Sequence, residues 1–326
     1  MMTSMRAVNV TEPGPAENLF VADIDKPRPG PGEVLIKVAA AGINRADLLQ
    51  RQGFYPPPPG ASEIIGMEVS GTIDELGSDV AGWTIGTDVC ALIAGGGYAE
   101  YVAVAAEHLL PIPAGVEVIE AAALPEVACT VLSNLKRTAH LAPGELVLLH
   151  GGGSGIGTHG IQWAKALGAT VAVTAGSDAK LELCRDLGAD ITINYNTDDF
   201  VQVIKDHGGA DVILDIVGAK YLDRNVSALT DDGRLVIIGM QGGAKAELDI
   251  GALLRKRGTV HATALRGRTR SDKAAIVADT IATTWPLIAD GRVKPVVGAT
   301  FPLAQAGEAH TLLESGQVSG KILLTL

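Results

Sequence analysis

Apolar residues recur with a period of two in the first third of the chain, then gather into short buried runs separated by helical stretches. Residues 33 to 40 (E-V-L-I-K-V-A-A) alternate as a half-buried strand does, and so do residues 68 to 76 and 98 to 104. Pro27, Pro29, Gly30, Pro31 and Gly32 mark one turn. Pro56 to Pro59 followed by Gly60 predict a stiff extended loop, since proline cannot donate to a sheet ladder. From Ile119 the pattern changes: residues 120 to 124 and 127 to 140 read as helices and Pro143-Gly144 turns the chain. Strands are then predicted at 146 to 149, 170 to 174, 190 to 194, 211 to 215, 234 to 239 and 259 to 264. Helices at 178 to 187, 198 to 206, 219 to 229 and 249 to 256 come between them. Strands that alternate with helices over short links predict an α/β doubly wound parallel sheet. After Arg270 a helix runs to Thr284, Pro286 interrupts it, and a helix at 304 to 314 precedes a last strand at 321 to 324, a tail expected to return to the first domain.

The chain is organised around residues 145 to 160, E-L-V-L-L-H-G-G-G-S-G-I-G-T-H-G. Leu146 to Leu149 has nothing polar to face water, as a central parallel strand buried on both sides requires. It gives way to Gly151, Gly152 and Gly153, and Gly155-Ile156-Gly157-Thr158-His159-Gly160 fits G-x-G-x-x-G where Ile161, Ala164 and Leu167 begin a helical spacing. Glycine there permits a tight turn and lets a pyrophosphate approach main-chain N–H groups at the helix start. Gly152, Gly155, Ile156 and Gly157 are therefore candidate dinucleotide contacts.

Composition narrows the choice. The 326 residues, 47% hydrophobic and 19% charged, suffice for two well-buried domains. Net charge is −11 and the basic residues are scattered, which argues against a nucleic-acid partner. The opening Met1-Met2-Thr3-Ser4-Met5-Arg6 has no apolar leader core, and no later apolar run escapes interruption by Glu, Pro or Gly, so a cytoplasmic protein without a membrane span is expected. Cys90, Cys129 and Cys184 are odd in number and far apart, which fits reduced core thiols. His150, on the strand entering the glycine turn, reads as a core histidine.

Several segments together carry a resemblance: Gly42-Ile43-Asn44-Arg45-Ala46-Asp47, Arg51-Gln52-Gly53-Phe54-Tyr55-Pro56, Gly66-Met67-Glu68-Val69-Ser70-Gly71, the glycine turn, Ala175-Gly176-Ser177-Asp178-Ala179-Lys180, and Gly320-Lys321-Ile322. Over essentially its whole length the chain resembles the medium-chain dehydrogenase/reductase superfamily, in particular its zinc-free, zeta-crystallin-like NADPH:quinone oxidoreductases. The resemblance implies a GroES-like β-rich catalytic domain formed by residues 1 to 121 and 266 to 326. It also implies a Rossmann NADPH-binding domain at 122 to 265, an active site between the two, and a homodimer joined through the cofactor domains.

In zinc-dependent members the segments here reading Asn44-Arg45-Ala46-Asp47 and Gly66-Met67-Glu68 supply a Cys and a His. Asn44 and Met67 offer neither thiolate nor imidazole, so no metal is expected. Without a Lewis acid the acceptor must already take hydride readily, as quinones and conjugated enones do, and the protein must place a hydrogen-bond donor where charge develops on oxygen. By resemblance that donor is Tyr55, with Asn44 and Ser154 lining the same cleft, while Arg45, Asp47 and Arg51 either pair with one another or serve the site.

The second strand of the cofactor domain ends in Ala175-Gly176-Ser177 rather than in an acid that would bind a ribose hydroxyl and repel a 2′-phosphate. With Lys180 close behind, and Tyr195 added by resemblance, this end is expected to take NADPH; Asp178 is expected to face solvent at the start of the next helix. Topology adds Gly239, Met240 and Gln241 after the fifth strand and Leu265 and Arg266 after the sixth, and Lys321 is grouped with these cofactor contacts. The expected activity is NADPH-dependent quinone reduction on a small-molecule substrate. The alternatives are an enone or alkenal double-bond reductase and a non-catalytic, crystallin-like NADPH-binding protein.

Overall fold

The computed structural model of the chain describes residues 4–326, so the part of the leader reading that rests on Met1 to Thr3 lies outside it. The chain divides into two compact units: one holds the chain through Cys129 with Arg266–Ala289 and Pro295–Leu326, the other Thr130–Leu265 with Asp290–Lys294.

The first unit is built on a seven-stranded sheet. Its order is Val297–Pro302, Lys321–Thr325, Glu33–Ile43, Glu68–Leu76, Asp88–Leu92 and Leu109–Pro111, with Tyr101–Ala105 also paired to Glu33–Ile43. Along Glu33–Ile43, Val34, Ile36 and Val38 enter the core at a period of two. The register then shifts between Val38 and Ala40, and Ala41 and Ile43 stay on the same core face. One extra residue in the strand has this effect, and it also bends the strand. Each fully buried Val, Leu or Ile in this core contributes roughly 1.5–3 kcal/mol. The last strand lies antiparallel to Glu33–Ile43, with Ile322 opposite Ile43 and Leu323 opposite Gly42, and this brings Lys321 to the end of that strand. A side chain at Gly42 would overlap the Glu68 carboxylate, so the glycine makes room for that acid.

The second unit is a six-stranded parallel sheet in the order Ile191–Asn194, Thr170–Ala175, Leu146–His150, Ala210–Asp215, Leu229–Ile237, Thr259–Ala262. In sequence order this is 3-2-1-4-5-6, and the direction of winding reverses between Leu146–His150 and Ala210–Asp215. All five residues of Leu146–His150 are buried, as its unbroken apolar run anticipates. Gln162 donates to the Lys294 carbonyl at 3.0 Å and accepts from the Lys294 N–H at 2.9 Å, which ties the segment Asp290–Lys294 to this unit.

Four expected elements differ. The third early strand begins at Tyr101 rather than 98, because Gly95 to Gly97 pack against residues 62 to 66 and the chain bends before pairing. The helix expected over 127 to 140 runs regularly only through Pro125–Val131, then widens over Leu132–Thr138, with Ala139 N–H bonding five residues back to Asn134. The stretch expected as helix 219 to 229 is a single tight turn, Ala219–Tyr221, followed by Leu222–Ala228; the next strand starts early, at Leu229, and bends at Asp232, whose φ is 57°. The helix from Arg270 does end at Thr283, but the chain enters a further, unexpected helix at once, Trp285–Ala289, with Pro286 in its first turn, where a missing N–H costs nothing. The stretch Val118–Thr138 is long and apolar enough to cross a membrane by composition, yet 78% of its apolar window is buried inside the protein, as in a core helix.

Candidate functional site

In the second unit the glycine turn leads into the 13-residue helix Gly155–Leu167. A side chain on Gly157 would overlap the carbonyls of Gly151 and Gly152, so the helix can start this close to the strand end only with glycine there. Ser154 caps the helix: its hydroxyl donates to Gly151 O at 2.7 Å and accepts from Gly157 N–H at 3.0 Å. The hydroxyl expected among the catalytic groups is thus committed to the turn. The N–H groups of Gly155 and Ile156 have no acceptor within the helix, and a helix start of this kind is suited to an anion.

Four of the expected contacts meet at the end of the second strand. Tyr195 lies over Gly176, where a side chain would collide with its phenol oxygen. Ser177 caps the helix Asp178–Asp186 by accepting from Lys180 N–H at 3.4 Å. The Lys180 stem runs across Gly153, so that a Cβ there would stand 3.0 Å from its Cδ, and partial burial lowers the pKa of its amine. Asp178 is exposed in the first turn of that helix, as expected, and accepts from Asn194 Nδ2 at 3.3 Å. Asn196, not anticipated from sequence, donates to Gly176 O at 2.9 Å.

Gly239, Met240 and Gln241 lie on a loop that pairs with the loop after the fourth strand: Gln241 N–H reaches Ile216 O at 3.3 Å and Gly242 N–H reaches Val217 O at 2.7 Å. Asp215, also unanticipated, organises that neighbour by accepting from Val217 N–H at 2.6 Å and Gly218 N–H at 3.0 Å, and burial pushes its carboxyl up to about 6. An acid at the carboxyl end of a strand beside the winding reversal was the available signal. The bare turn, the unpaired N–H groups at the helix start and the small neutral end of the second strand together fit a dinucleotide.

The first unit holds a buried polar cluster. Lys321 Nζ stands 2.6 Å from Glu68 Oε1, 2.6 Å from Asn44 Oδ1 and 2.8 Å from Ile43 O, so its three donors all have acceptors in this unit. Asn44 Nδ2 donates to the same Glu68 oxygen at 2.9 Å, and Glu126 N–H donates to the other. Both ends of the Asn44 amide are therefore occupied. Asp47 accepts from Asn44 N–H at 2.7 Å and from the Tyr98 hydroxyl at 3.2 Å, and burial pushes its carboxyl up to about 6. Tyr98 in turn meets His310 Nε2 at 3.1 Å, and Arg51 donates to His310 Nδ1 at 3.4 Å. With Nδ1 accepting, His310 is the neutral Nε2–H tautomer, and burial beside Arg51 holds its pKa down to about 3. Arg45, Asp47 and Arg51 do not pair with one another: Arg45 is exposed, and Arg51 is buried and bridges to Glu314 at 2.6 Å. Among the described residues no group of three or more His, Cys, Asp or Glu could hold a metal ion, and Asn44 is already bonded at both ends, so this donor set does not fit zinc.

Tyr55 sits at the start of the proline loop, half-buried, and burial raises its phenol pKa. Arg266, expected as a cofactor contact beside Leu265, instead directs its guanidinium into the first unit. It donates to Ala94 O at 2.7 Å, to Gln50 Oε1 at 2.7 Å and to Tyr55 O at 3.3 Å, and it lies 5.3 Å from the centroid of the Tyr55 ring. Leu265 is the last residue of the second unit's main segment.

Residues 30–114 match the alcohol dehydrogenase GroES-like domain and residues 155–282 the zinc-binding dehydrogenase family. Rat quinone oxidoreductase is 31% identical over 331 residues, covering 99% of this chain and 98% of that protein. The 2-haloacrylate reductase of a Burkholderia species is 29% identical over 335 residues, 98% of each. The chain spans only 15% of the length of another relative, a phenolphthiocerol/phthiocerol polyketide synthase of Mycobacterium tuberculosis, with 30% identity over 323 residues. The crystal structure of Escherichia coli quinone oxidoreductase complexed with NADPH superposes with a TM-score of 0.87 at 29% identity, covering 98% of this chain and 100% of that one. This chain therefore belongs to the medium-chain dehydrogenase/reductase superfamily, as one of its quinone-oxidoreductase-like oxidoreductases.

Proposed function

We propose that this protein reduces quinones with NADPH and without a metal ion. The observation that carries the reading is Tyr55: its phenol is half-buried and braced by Arg266, and among the described residues no group hydrogen-bonds to its hydroxyl. A donor placed in this way can meet the oxygen on which negative charge develops, and one aligned donor of that kind is worth ~10²–10³ in rate. NADPH, when bound, supplies the hydride. Gly152, Gly155, Ile156 and Gly157 would hold its pyrophosphate, Gly176, Ser177, Lys180 and Tyr195 its 2′-phosphate end, and Gly239, Met240, Gln241 and Leu265 would line the nicotinamide side. Asn44, fixed by Lys321 and Glu68, walls the site, and Ser154 supports the turn. Since the donor set does not suit zinc, an acceptor that takes hydride readily, such as a quinone, fits better than a simple ketone.

The similarity to a 2-haloacrylate reductase favours a second reading, reduction of a conjugated double bond by the same machinery. Oxidation of NADPH by the purified protein against a quinone series and an enone series separates the two. Turnover confined to enones would replace the first reading by the second, and no turnover with either would favour a cofactor-binding protein without catalysis. The resemblance also supports a cytoplasmic homodimer, which light scattering on the purified protein tests for its oligomeric part.

A further inference from the structure

Arg266 is buried, yet its hydrogen bonds go to two main-chain carbonyls and a side-chain amide rather than to a carboxylate. A guanidinium withdrawn from water without a bonded counter-charge carries a desolvation cost, and here burial lowers its pKa. Its acceptors come from three separate segments. Gln50 lies in the helix Arg45–Arg51, Tyr55 heads the proline loop, and Ala94 belongs to the glycine-rich bend that precedes Tyr101–Ala105. The planar fork suits this bridging, and the same cation faces the Tyr55 ring at 5.3 Å. At its start the loop is also held by Gly53 N–H to Gln50 O at 2.9 Å and Phe54 N–H to Leu49 O at 2.8 Å, and at its end by Ala61 N–H to Pro58 O at 3.0 Å, while its four prolines have no N–H to contribute.

We propose that Arg266 is a positioning residue for Tyr55: it fixes the loop through the main chain and holds positive charge against the phenol, and so acts on the reaction through Tyr55 rather than by touching the cofactor. This rests on the reading of Tyr55 as the hydrogen-bond donor. A positive charge beside the ring favours electron density moving onto the phenol oxygen, which makes the O–H a stronger donor at the moment the acceptor oxygen becomes negative.

Arg266→Met, Arg266→Lys, Tyr55→Phe and the double variant Tyr55→Phe/Arg266→Met test it, each checked for native unfolding behaviour. The readouts are kcat with a quinone, Kd for NADPH, and hydrogen exchange at the Gly53 and Phe54 amides. Arg266→Met is expected to lower kcat by about tenfold to a hundredfold, the range of a hydrogen bond to a charged group, and to leave the NADPH Kd within about twofold. Exchange at Gly53 and Phe54 should quicken. Arg266→Lys keeps the charge without the fork and should recover part of kcat. In the Tyr55→Phe background the Arg266→Met change should cost nothing further. A Kd for NADPH that rises as kcat falls, or losses that multiply in the double variant, would overturn the proposal. Full activity of Tyr55→Phe alone would instead remove the donor reading, and unchanged loop exchange in Arg266→Met would show that the loop is not pinned by this residue.

Discussion

The ammonium of Lys321 lies 2.6 Å from a carboxylate oxygen of Glu68, and both side chains are buried, at 5% and 0% exposure. The pair joins the last strand of the chain to the strand Glu68–Leu76, and it accounts for all three lysine donors together with Asn44 and Ile43. Removing one partner leaves the other charge buried without compensation, which costs about 3–5 kcal/mol. Lys321→Met should lose stability on that scale in urea unfolding. A loss below about 1 kcal/mol, within the range of an exposed pair, would show that the amine is not the counter-charge of Glu68.

Asp47 and His310 sit at two ends of one bonded chain through Tyr98 and respond to acid in opposite senses. His310 has its pKa depressed from 6.5 to about 3, so its contribution is present above pH 6.5 and is lost as pH falls below that, when the unfolded chain takes up a proton the native state refuses. Asp47 has its pKa raised from 3.8 to about 6, so on acidification from pH 6 to 4 the native state takes up a proton the unfolded chain does not, and this favours folding. Asp47→Asn removes that compensation. Its stability should fall more steeply than the wild type's between pH 6 and 4, by up to ~1.4 kcal/mol per pH unit; parallel stability curves for the two proteins would contradict the assignment.

The proposed preference for NADPH rests on the end of the second strand. The Lys180 stem crosses Gly153, its N–H bonds to the Ser177 hydroxyl, and Tyr195 covers Gly176. A charge-assisted bond from its amine to a 2′-phosphate is worth roughly 1.5–3 kcal/mol, or about tenfold to a hundredfold in affinity. Lys180→Ala should weaken NADPH binding by that factor and leave NADH nearly unchanged, and the wild-type preference should shrink as salt rises. Equal response of both cofactors in a titration would make Lys180 an ordinary helix lysine.

Much of the second unit could be read from the sequence because Leu146–His150, Thr170–Ala175 and Ala210–Asp215 carry short apolar runs and most of the turns between elements carry a glycine. Leu146–His150, wholly buried, has no other use for such a run. The edge strand Val297–Pro302 is hidden in the sequence because its small and mixed residues alternate only weakly and are partly exposed. The candidate site was legible where its chemistry is local, as in the glycine turn at Gly157; the Ser177 cap was not foreseen. It was illegible where bonds join distant segments: Arg266 to Tyr55 spans 211 residues and Lys321 to Asn44 spans 277, and nothing in either local sequence marks the partner. Local sequence therefore groups both residues with the cofactor contacts, whereas their donors are bonded within the first unit.

The most direct test of the proposed chemistry is the turnover of Tyr55→Phe with a quinone, measured beside its Kd for NADPH. The substitution removes only the hydroxyl, which has no partner among the described residues, so the fold and the cofactor affinity should be unchanged while kcat drops by ~10² or more, the scale of one aligned transition-state donor. Wild-type kcat across several quinones would contradict the central claim and make Tyr55 a packing residue of the proline loop.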